Sequence, residues 1–310
     1  MMTEMLYVKA DDESILSVWL GSPTTTGSIY AIRFVYCCFR DWYNMVFVFN
    51  DKEKVCKSMK LQVLVAAMNQ TDHSLPQKMN IKCDAIIGNQ CDLNAIEDTM
   101  WQGHKIKYLH FSERGVGLNR NNALMRADAD IVLFADDDMV YCNDYIEIII
   151  SAFNKHSDAD VIIFNIKEKH PTRYIIKKTE RVWYHNYLRY GTARVAVRLK
   201  SVRENSICFN LCYGGGTEHC HGEDNIFLTD CLKKGLKIYA VPQYIAKLTE
   251  ERASTWNNGY DEKYIRDQGC LYKAISRKWW KLLCLQDVIR RSKRDYKMSW
   301  FDAYKKMIGV

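Results

Sequence analysis

The stretch IVLFADDDMVYC, residues 131–142, places three consecutive carboxylates directly after a run of apolar residues. The run is short and continuous, which is typical of a buried strand. Three adjacent negative charges at the end of such a strand repel one another and are costly to remove from water. Asp136, Asp137 and Asp138, here called the Asp triplet, therefore need a partner that compensates their charge.

Other strands and helices alternate around this stretch. Short apolar runs that end in polar residues predict strands, and apolar residues at helical spacing predict helices. Strands are predicted at 59–70, 83–92, 104–111, 130–138 and 159–168, and helices at 117–127 and 144–156. This alternation is typical of an α/β fold with a mostly parallel sheet. Ligands of such sheets lie beyond the carboxyl ends of the strands, where Asn69, Asn89, Asp92 and the Asp triplet fall.

The first 58 residues do not follow this alternation. They are rich in aromatic residues and cysteines, and a fresh strand begins directly after them at Met59. We therefore expect an N-terminal appendage at 1–58, a catalytic domain at 59–274 and a basic, amphipathic helical tail at 275–310.

A divalent cation is the partner that the Asp triplet favours. Mg²⁺ and Mn²⁺ prefer oxygen ligands, and Mg²⁺ is usually bound by one or two carboxylates together with substrate phosphates. A metal ion between carboxylates and a diphosphate neutralises both charges and stabilises a departing phosphate. The sequence thus predicts a metal–diphosphate site with Mn²⁺ or Mg²⁺ as the cofactor. The alternative is an acidic turn that caps the next helix, although three Asp residues exceed what capping requires.

The net charge of +7 on this 310-residue chain comes from its C-terminal tail. Between Arg277 and Lys306, ten Lys and Arg residues stand against three Asp residues, so the rest of the chain is neutral overall. Trp279, Trp280 and several aliphatic residues are interspersed among these charges. The tail is either a helix packed on the catalytic domain or an amphipathic helix that contacts an anionic membrane. A neutral body without a basic, aromatic groove argues against nucleic acid as a partner.

The twelve cysteines form no C-x-x-C pair, and the first ten residues lack the pattern of a signal peptide. We therefore expect reduced thiols in a cytoplasmic protein. The segment 218–224 contains His219, Cys220 and His221, but ligands this close together cannot all reach one tetrahedral zinc ion. The most apolar stretch, 29–49, is interrupted by charged residues and falls short of the roughly 20 apolar residues of a membrane span.

Three segments together resemble family 2 glycosyltransferases, which have the A-type glycosyltransferase fold with a Rossmann-like central sheet flanked by helices. They are NQTDHSLPQKMNIKCDAIIGNQCD (69–92), ERGVGLNRNNALMRADADIVLFADDD (113–138) and GGGTEHCHGEDNIFLTDCLKKGLKIYAVP (214–242). The resemblance extends from about Met59 to about Leu285 and is to bacterial enzymes of capsule, lipopolysaccharide and exopolysaccharide assembly. It implies a hexosyltransferase-type enzyme that inverts the sugar's configuration. The sugar would pass from a nucleotide-diphosphate donor to a hydroxyl of a glycan or lipid-linked acceptor, at the inner face of the cell membrane.

The resemblance implies that the Asp triplet holds both the metal ion and the donor, for which we expect a UDP-sugar. Asp136, Asp137 and Asp138 would surround the ion, with Asp137 or Asp138 as its direct ligand. Asp136 and Asp137 would also bind the donor's ribose and diphosphate. Arg120 and Asn121 match a family pair near the donor, and a guanidinium group suits phosphate geometry. The alternative for that pair is an ordinary position on a helix surface.

Two loops are implied to hold the nucleobase. One includes Ala67 and Asn69, and the other runs from Asn89 to Asp92. The family often has two Asp residues in the second loop where this chain has Asn89 and Gln90. The identity of the base therefore does not follow from the sequence.

Asp224 matches the family's catalytic base, and a positioned general base contributes roughly 10²–10⁴-fold to a rate. Glu223 is the other candidate for that role, or it orients the site. Gly214, Gly215 and Gly216 form a segment whose backbone can approach an acceptor sugar closely. The alternative is that the two acidic residues merely open a helix at the end that its dipole favours.

Three other functions fit parts of the pattern. An Asp-x-Asp motif after an apolar strand is also found in haloacid-dehalogenase-type phosphatases, but those enzymes usually carry it on the first strand of the domain. A sugar-phosphate nucleotidyltransferase needs a Gly-rich phosphate loop after its first strand, and VAAMNQTDH (65–73) has none. A non-catalytic glycan-binding domain of the same fold would not need the Asp triplet and Asp224.

Overall fold

The computed structural model describes residues 59–171, 173–249 and 259–309, and also the backbone of three earlier strands. The chain divides into two compact units, Met1–Lys57 and Ser58–Val310. The first unit contains an antiparallel sheet of β1 (Met5–Lys9), β2 (Ile15–Trp19) and β3 (Arg33–Phe34). The three predicted domains stay a prediction.

The described residues of the second unit form ten strands and eight α-helices. Its strands are β4 (Leu61–Met68), β5 (Asp84–Gln90), β6 (Ala95–Trp101), β7 (His104–Phe111), β8 (Ile131–Asp136), β9 (Met139–Tyr141), β10 (Val161–Lys167), β11 (Glu180–Val182), β12 (Val195–Arg198) and β13 (Ile238–Leu248). Its helices are α1 (Leu75–Lys78), α2 (Val116–Arg126), α3 (Tyr145–Lys155), α4 (Leu199–Glu204), α5 (Glu223–Lys233), α6 (Glu262–Ile275), α7 (Trp280–Arg291) and α8 (Trp300–Ile308).

The ten strands form one sheet in the order β11–β13–β10–β12–β8–β4–β5–β7–β6, and β9 pairs with β13. Strands β7, β5, β4 and β8 are parallel neighbours, as are β10 and β13. The short strand β12 runs antiparallel to both β8 and β10 and joins these two parallel parts. The predicted α/β class with a parallel central sheet is confirmed, while β6, β9, β11, β12 and β13 were not predicted.

Helices cover both faces of the sheet, because its central strands are apolar on both sides. Val63 and Val65 of β4 lie in the core cluster that contains α1 and α3. Leu64, between them, lies in the opposite cluster with α2 and α4 to α8. Each fully buried side chain of this size contributes roughly 1.5–3 kcal/mol to stability, so the two cores together hold the sheet between its helices.

Helix α2 is anchored to the sheet by Asn119. This side chain is fully buried, and its Nδ2 donates to the carbonyl oxygen of Gly88 at 2.7 Å and to that of Ala67 at 3.4 Å. Gly88 leaves the space that the amide needs, since a Cβ atom there would lie 1.9 Å from Asn119 Oδ1. The anchor fixes α2 near the carboxyl ends of β4 and β5.

The C-terminal helices pack on α6. Cys284 and Val288 of α7, and Ala303 and Met307 of α8, are buried in the same core cluster as α2 and α5. The buried face of the tail thus agrees with the first alternative, a helix packed on the rest of the second unit. No helix among the described residues is long and apolar enough to cross a membrane. The stretch 29–49 lies outside those residues except for β3.

Candidate active site

The Asp triplet lies at the carboxyl end of β8, beside the end of β4. Asp136 is the last residue of β8, and Asp137 and Asp138 form the turn to β9. Asp137 Oδ2 accepts hydrogen bonds from the backbone N–H of Met68 at 3.3 Å and from Gln70 Nε2 at 3.1 Å. The structure therefore brings the triplet against the first predicted nucleobase loop.

The carboxylates of the triplet repel one another, as their sequence predicts. Burial, followed by the charges of Asp136 and Asp137, raises the pKa of Asp138, and the charge of Arg173 opposes this shift. A cation beside the triplet would relieve the repulsion. Oxygen ligands are also the type that Mg²⁺ and Mn²⁺ prefer, so these residues fit a divalent metal ion.

Arg120 joins the triplet to the sequence Gly222-Glu223-Asp224. Its side chain is only 5% exposed, and it donates to Asp136 Oδ1 at 2.8 Å and to Glu223 Oε1 at 2.9 Å. Burial lowers the pKa of Arg120, but the charges of Asp136 and Glu223 outweigh that effect and raise it overall. The alternative of an ordinary helix-surface position is wrong for this arginine. One guanidinium group thus links carboxylates from two separate motifs.

Asp224 lies in the first turn of α5, next to Glu223. Gly222 precedes the helix with a φ of 108°, and a Cβ atom there would lie 2.7 Å from Leu271, so only glycine fits this start. Burial, followed by the charge of Glu223, raises the pKa of Asp224 well above its usual range. Asp224 Oδ1 accepts from the backbone N–H of Asn225 at 2.7 Å. The two acidic residues do open a helix, and Asp224 also has the raised basicity that suits a general base.

The Gly-rich segment packs between Glu223 and the start of α2. Gly214 has a φ of 101°, and a Cβ atom there would lie 2.8 Å from the Glu223 carboxylate. The carbonyl oxygen of Gly215 accepts from the backbone N–H of Val116 at 2.9 Å. Gly216 is equally close to α2, because its Cβ would lie 3.0 Å from the nitrogen of Gly115. The predicted contact of this segment with an acceptor stays a prediction.

The two predicted nucleobase loops lie side by side. Asn89 is fully buried and forms two hydrogen bonds with the backbone of Gln70, at 2.9 and 2.8 Å. The backbone N–H of Asn69 donates to the carbonyl of Gln90 at 3.0 Å, directly after the end of β4 at Met68. Asp92, by contrast, is almost fully exposed and pairs with Arg114 at 3.0 Å.

Asn121 holds α2 in place through the backbone of Phe209. Its Nδ2 donates to the Phe209 carbonyl at 2.9 Å, and its Oδ1 accepts from the Phe209 N–H at 2.8 Å. Both ends of the amide are therefore engaged within the protein, and its predicted role near the donor stays a prediction.

A second polar cluster forms around Asp267. This aspartate was not among the residues that the sequence analysis named. Asp267 comes from α6, and its carboxylate lies within 4.8 Å of the ligand atoms of Cys220 and His221. It accepts from Lys263 Nζ at 2.7 Å and lies 3.0 Å from His219 Nδ1. Burial raises the pKa of Asp267, but the hydrogen bonds from His219 and Lys263 lower it to about 2 overall. An ammonium group thus already compensates this carboxylate.

Residues 92–212 match the model of the family described as Glycosyl transferase family 2. This range includes Arg120 and the Asp triplet, and Asp224 lies beyond it. No curated protein matches the chain.

Crystal structures of S. aureus TarS have a similar fold. TarS 1–349 in complex with UDP-GlcNAc gives a TM-score of 0.57 at 15% identity, covering 77% of this chain and 74% of that chain. Another structure of TarS 1–349 gives a TM-score of 0.52 at 14% identity, covering 80% of this chain and 90% of that chain. A further TarS structure gives 0.53 at 16% identity over 80% of this chain and 55% of that one. At these identities the likeness shows the fold alone.

The fold and the family match agree with each other and with the placement of the motifs. The predicted A-type glycosyltransferase fold is confirmed by the likeness to TarS. The match over residues 92–212 covers the strand that carries the triplet and the helix that carries Arg120. Within residues 92–212, the chain is thus similar to glycosyl transferase family 2.

Proposed function

We propose that the protein is an inverting, hexosyltransferase-type enzyme of surface polysaccharide synthesis. It transfers a sugar from a nucleotide-diphosphate donor to a hydroxyl group of a glycan or lipid-linked acceptor. The observation that carries this proposal is the bridge from Asp136 through Arg120 to Glu223, the neighbour of Asp224. This bridge holds the Asp triplet in one site with Asp224, whose carboxylate has a raised pKa. The UDP-GlcNAc bound to TarS supports a UDP-sugar as the donor.

The triplet would hold Mn²⁺ or Mg²⁺, and Asp137 and Asp138 are the residues best placed for direct contact. Asp136 already forms an ion pair with Arg120. When bound, the ion would neutralise the diphosphate and so make it a better leaving group. Arg120 holds the carboxylate of Asp136 in place through a charge-assisted hydrogen bond.

Asp224 is the better candidate for the base. Glu223 is engaged by Arg120, whereas Asp224 forms no ion pair with any residue that the structure describes. Its carboxylate takes the proton from the acceptor hydroxyl as that oxygen attacks the anomeric carbon, on the face opposite the leaving diphosphate. The TarS-like fold weakens the phosphatase alternative, and transfer activity would exclude a purely glycan-binding domain.

Binding of UDP is expected to depend on the metal ion. UDP should raise the melting temperature of the protein in the presence of Mn²⁺ or Mg²⁺ but not in EDTA, because ligand at 100 times its Kd stabilises a folded protein by about 2.7 kcal/mol. Asp137→Asn and Asp138→Asn should weaken this effect by removing charge that faces the cation. Asp144→Asn, an exposed site at the start of α3, is the matched control. Equal stabilisation in EDTA would contradict the metal bridge.

We further propose that the outer face of the tail contacts an anionic membrane, where a lipid-linked acceptor would be found. Five large apolar side chains of this face are at least half exposed: Trp279, Leu282, Ile289, Trp300 and Phe301. They stand among the ten basic residues of the tail. Exposed aromatic and aliphatic side chains beside Lys and Arg are the features of a helix that lies in the interface of an anionic membrane.

The full chain is expected to sediment with vesicles of phosphatidylserine and phosphatidylcholine, and much less with phosphatidylcholine alone. Added salt should weaken this binding, since it screens the attraction of the basic residues. The double change Trp279→Ser and Ile289→Ser should reduce it, whereas Ile96→Ser, an equally exposed site on β6, should not. Equal binding by the double variant would refute the membrane contact.

A further inference from the structure

Gln70 lies directly against the Asp triplet. Its Nε2 donates to Asp137 Oδ2 at 3.1 Å and to the carbonyl oxygen of Met68 at 3.2 Å. The backbone N–H of Met68 donates to the same carboxylate oxygen at 3.3 Å. The last torsion angle of an aspartate side chain has a broad distribution, so hydrogen bonds of this kind decide which way the carboxylate faces. Gln70 and the end of β4 therefore help to fix the orientation of Asp137.

The main chain of Gln70 is held by one buried amide. Asn69 has a φ of 52°, in the left-handed region that asparagine tolerates, and the chain bends there after the end of β4. The N–H of Gln70 then donates to Asn89 Oδ1 at 2.9 Å, and its carbonyl accepts from Asn89 Nδ2 at 2.8 Å. Asn89 lies on β5, where it is paired in register with Ala67 of β4. Two hydrogen bonds to one side chain thus fix the position from which Gln70 reaches Asp137.

His110 of β7 completes this arrangement. Its Nδ1 lies 3.0 Å from Asn89 Nδ2. Because the N–H of Gln70 donates to the oxygen of the Asn89 amide, the nitrogen of that amide faces His110 and donates to Nδ1. The neutral imidazole therefore carries its proton on Nε2, which lies 3.6 Å from Glu97 Oε1. The side chain of His110 is only 9% exposed, and a buried amide hydrogen that lost this acceptor would be costly.

These contacts enclose Asn89 within the protein. The residue is fully buried, and its oxygen accepts from Gln70. Its nitrogen donates to the carbonyl of Gln70 and to His110, which uses both hydrogens of the amide. A side chain engaged in this way acts on the site through its neighbours.

We propose that Gln70 is a positioning residue of the donor site, which orients the carboxylate of Asp137 for the metal ion. Asn89 and His110 in turn hold Gln70. The inference rests on the proposed metal-dependent transfer and adds Gln70 and His110 to its residues, while Asn89 acts through Gln70 rather than by contact with a nucleobase. Mg²⁺ demands near-ideal ligand geometry, and a carboxylate that is oriented beforehand loses less freedom when the ion binds.

Gln70→Met tests the contact with Asp137 in the full chain, because methionine keeps the length of the side chain but donates no hydrogen bond. Calorimetry with Mn²⁺ present should show UDP binding weakened by about tenfold, as expected for the loss of a hydrogen bond to a charged group. The control is Gln77→Met, the same change at an exposed glutamine of α1, which should bind UDP like the unchanged chain. Without ligand, both variants should unfold at the same urea concentration. A purely structural role of Gln70 would lower that concentration and leave the affinity unchanged.

Two changes at His110 separate its hydrogen bond from its packing. Asparagine places an acceptor oxygen near the position of Nδ1, whereas leucine fills the space without an acceptor. In the presence of Mn²⁺, UDP affinity should be retained in His110→Asn and reduced in His110→Leu. If His110 only packed on Tyr108, whose ring centre is 5.9 Å away, the apolar leucine would be the better tolerated of the two.

Equal UDP affinity of Gln70→Met and the unchanged chain would overturn the proposal. If Gln70→Met does not fold, the two His110 variants decide, and equal affinities or the reverse order would overturn it. A lack of metal-dependent UDP binding in the unchanged chain would instead refute the proposed function, and the positioning role with it.

Discussion

Replacing Asp224 with asparagine is expected to lower the rate of sugar transfer by about 10²-fold or more while donor binding survives. Asparagine keeps the size and most of the hydrogen bonds of the side chain, but it cannot accept the proton of the acceptor hydroxyl. The measurement combines donor affinity by calorimetry with product formation, or with slow hydrolysis of the donor where no acceptor is at hand.

The matched control is Asp230→Asn, which makes the same change six residues further along α5. Burial raises the pKa of Asp230 as well, although the charges of Lys233 and Lys234 oppose this shift, so the control is a partly buried aspartate of the same helix. Near-normal turnover of Asp224→Asn would move the role of base to Glu223. Loss of donor binding would place Asp224 in the metal site instead.

The pH dependence of transfer provides a second readout of the same change. A base acts in its ionised form, and the pKa of Asp224 lies above the usual range of a carboxyl group. Activity should therefore fall as the pH drops through that raised pKa, at a pH where an ordinary aspartate would still be ionised. The residual activity of Asp224→Asn should lack this acidic limb.

Replacing Arg120 with methionine is expected to lower the free energy of unfolding and to weaken donor binding. The change leaves Asp136 and Glu223 facing each other without the cation between them. Loss of one partner of a buried ion pair costs about 3–5 kcal/mol. The lower end applies here because the side chain of Asp136 is 37% exposed and water screens its charge. Urea unfolding measures this loss, and UDP with Mn²⁺ should no longer stabilise the variant.

Arg126→Met is the control for this second change, since Arg126 is an exposed arginine in the last turn of the same helix. Its stability should stay within about 0.5 kcal/mol of the unchanged chain, as is usual for surface positions. If Arg120→Met were equally stable, the bridge would not contribute to the fold. Intact UDP binding by that variant would show that the triplet binds its ligand without the arginine.

The strands that the sequence predicted are those with continuous apolar runs. Val63 to Val65 and Ile131 to Phe134 are buried on both faces, and such segments are evident without knowledge of their neighbours. The four residues of β12 and the three of β9 are too short to show a period. β6 alternates between half-buried and exposed residues at the edge of the sheet, and its polar members obscure the pattern.

The sequence singles out the residues of the candidate site, but it does not show the contacts between them. Arg120 and Glu223 are 103 positions apart, and only the folded chain shows that one guanidinium group binds both Glu223 and Asp136. Asp267 approaches Cys220 from a helix 47 positions later in the chain.

The close fit of Asn119 against Gly88 has a consequence for the evolution of this chain. A Cβ atom at position 88 would overlap Asn119 Oδ1, so a larger residue can arise there only after the amide at position 119 has been lost. The two positions should therefore covary among homologues, with glycine at the first wherever asparagine occupies the second. In homologues that lack this pair, another contact must hold the helix that carries Arg120. Otherwise the guanidinium group of Arg120 would no longer lie against the Asp triplet.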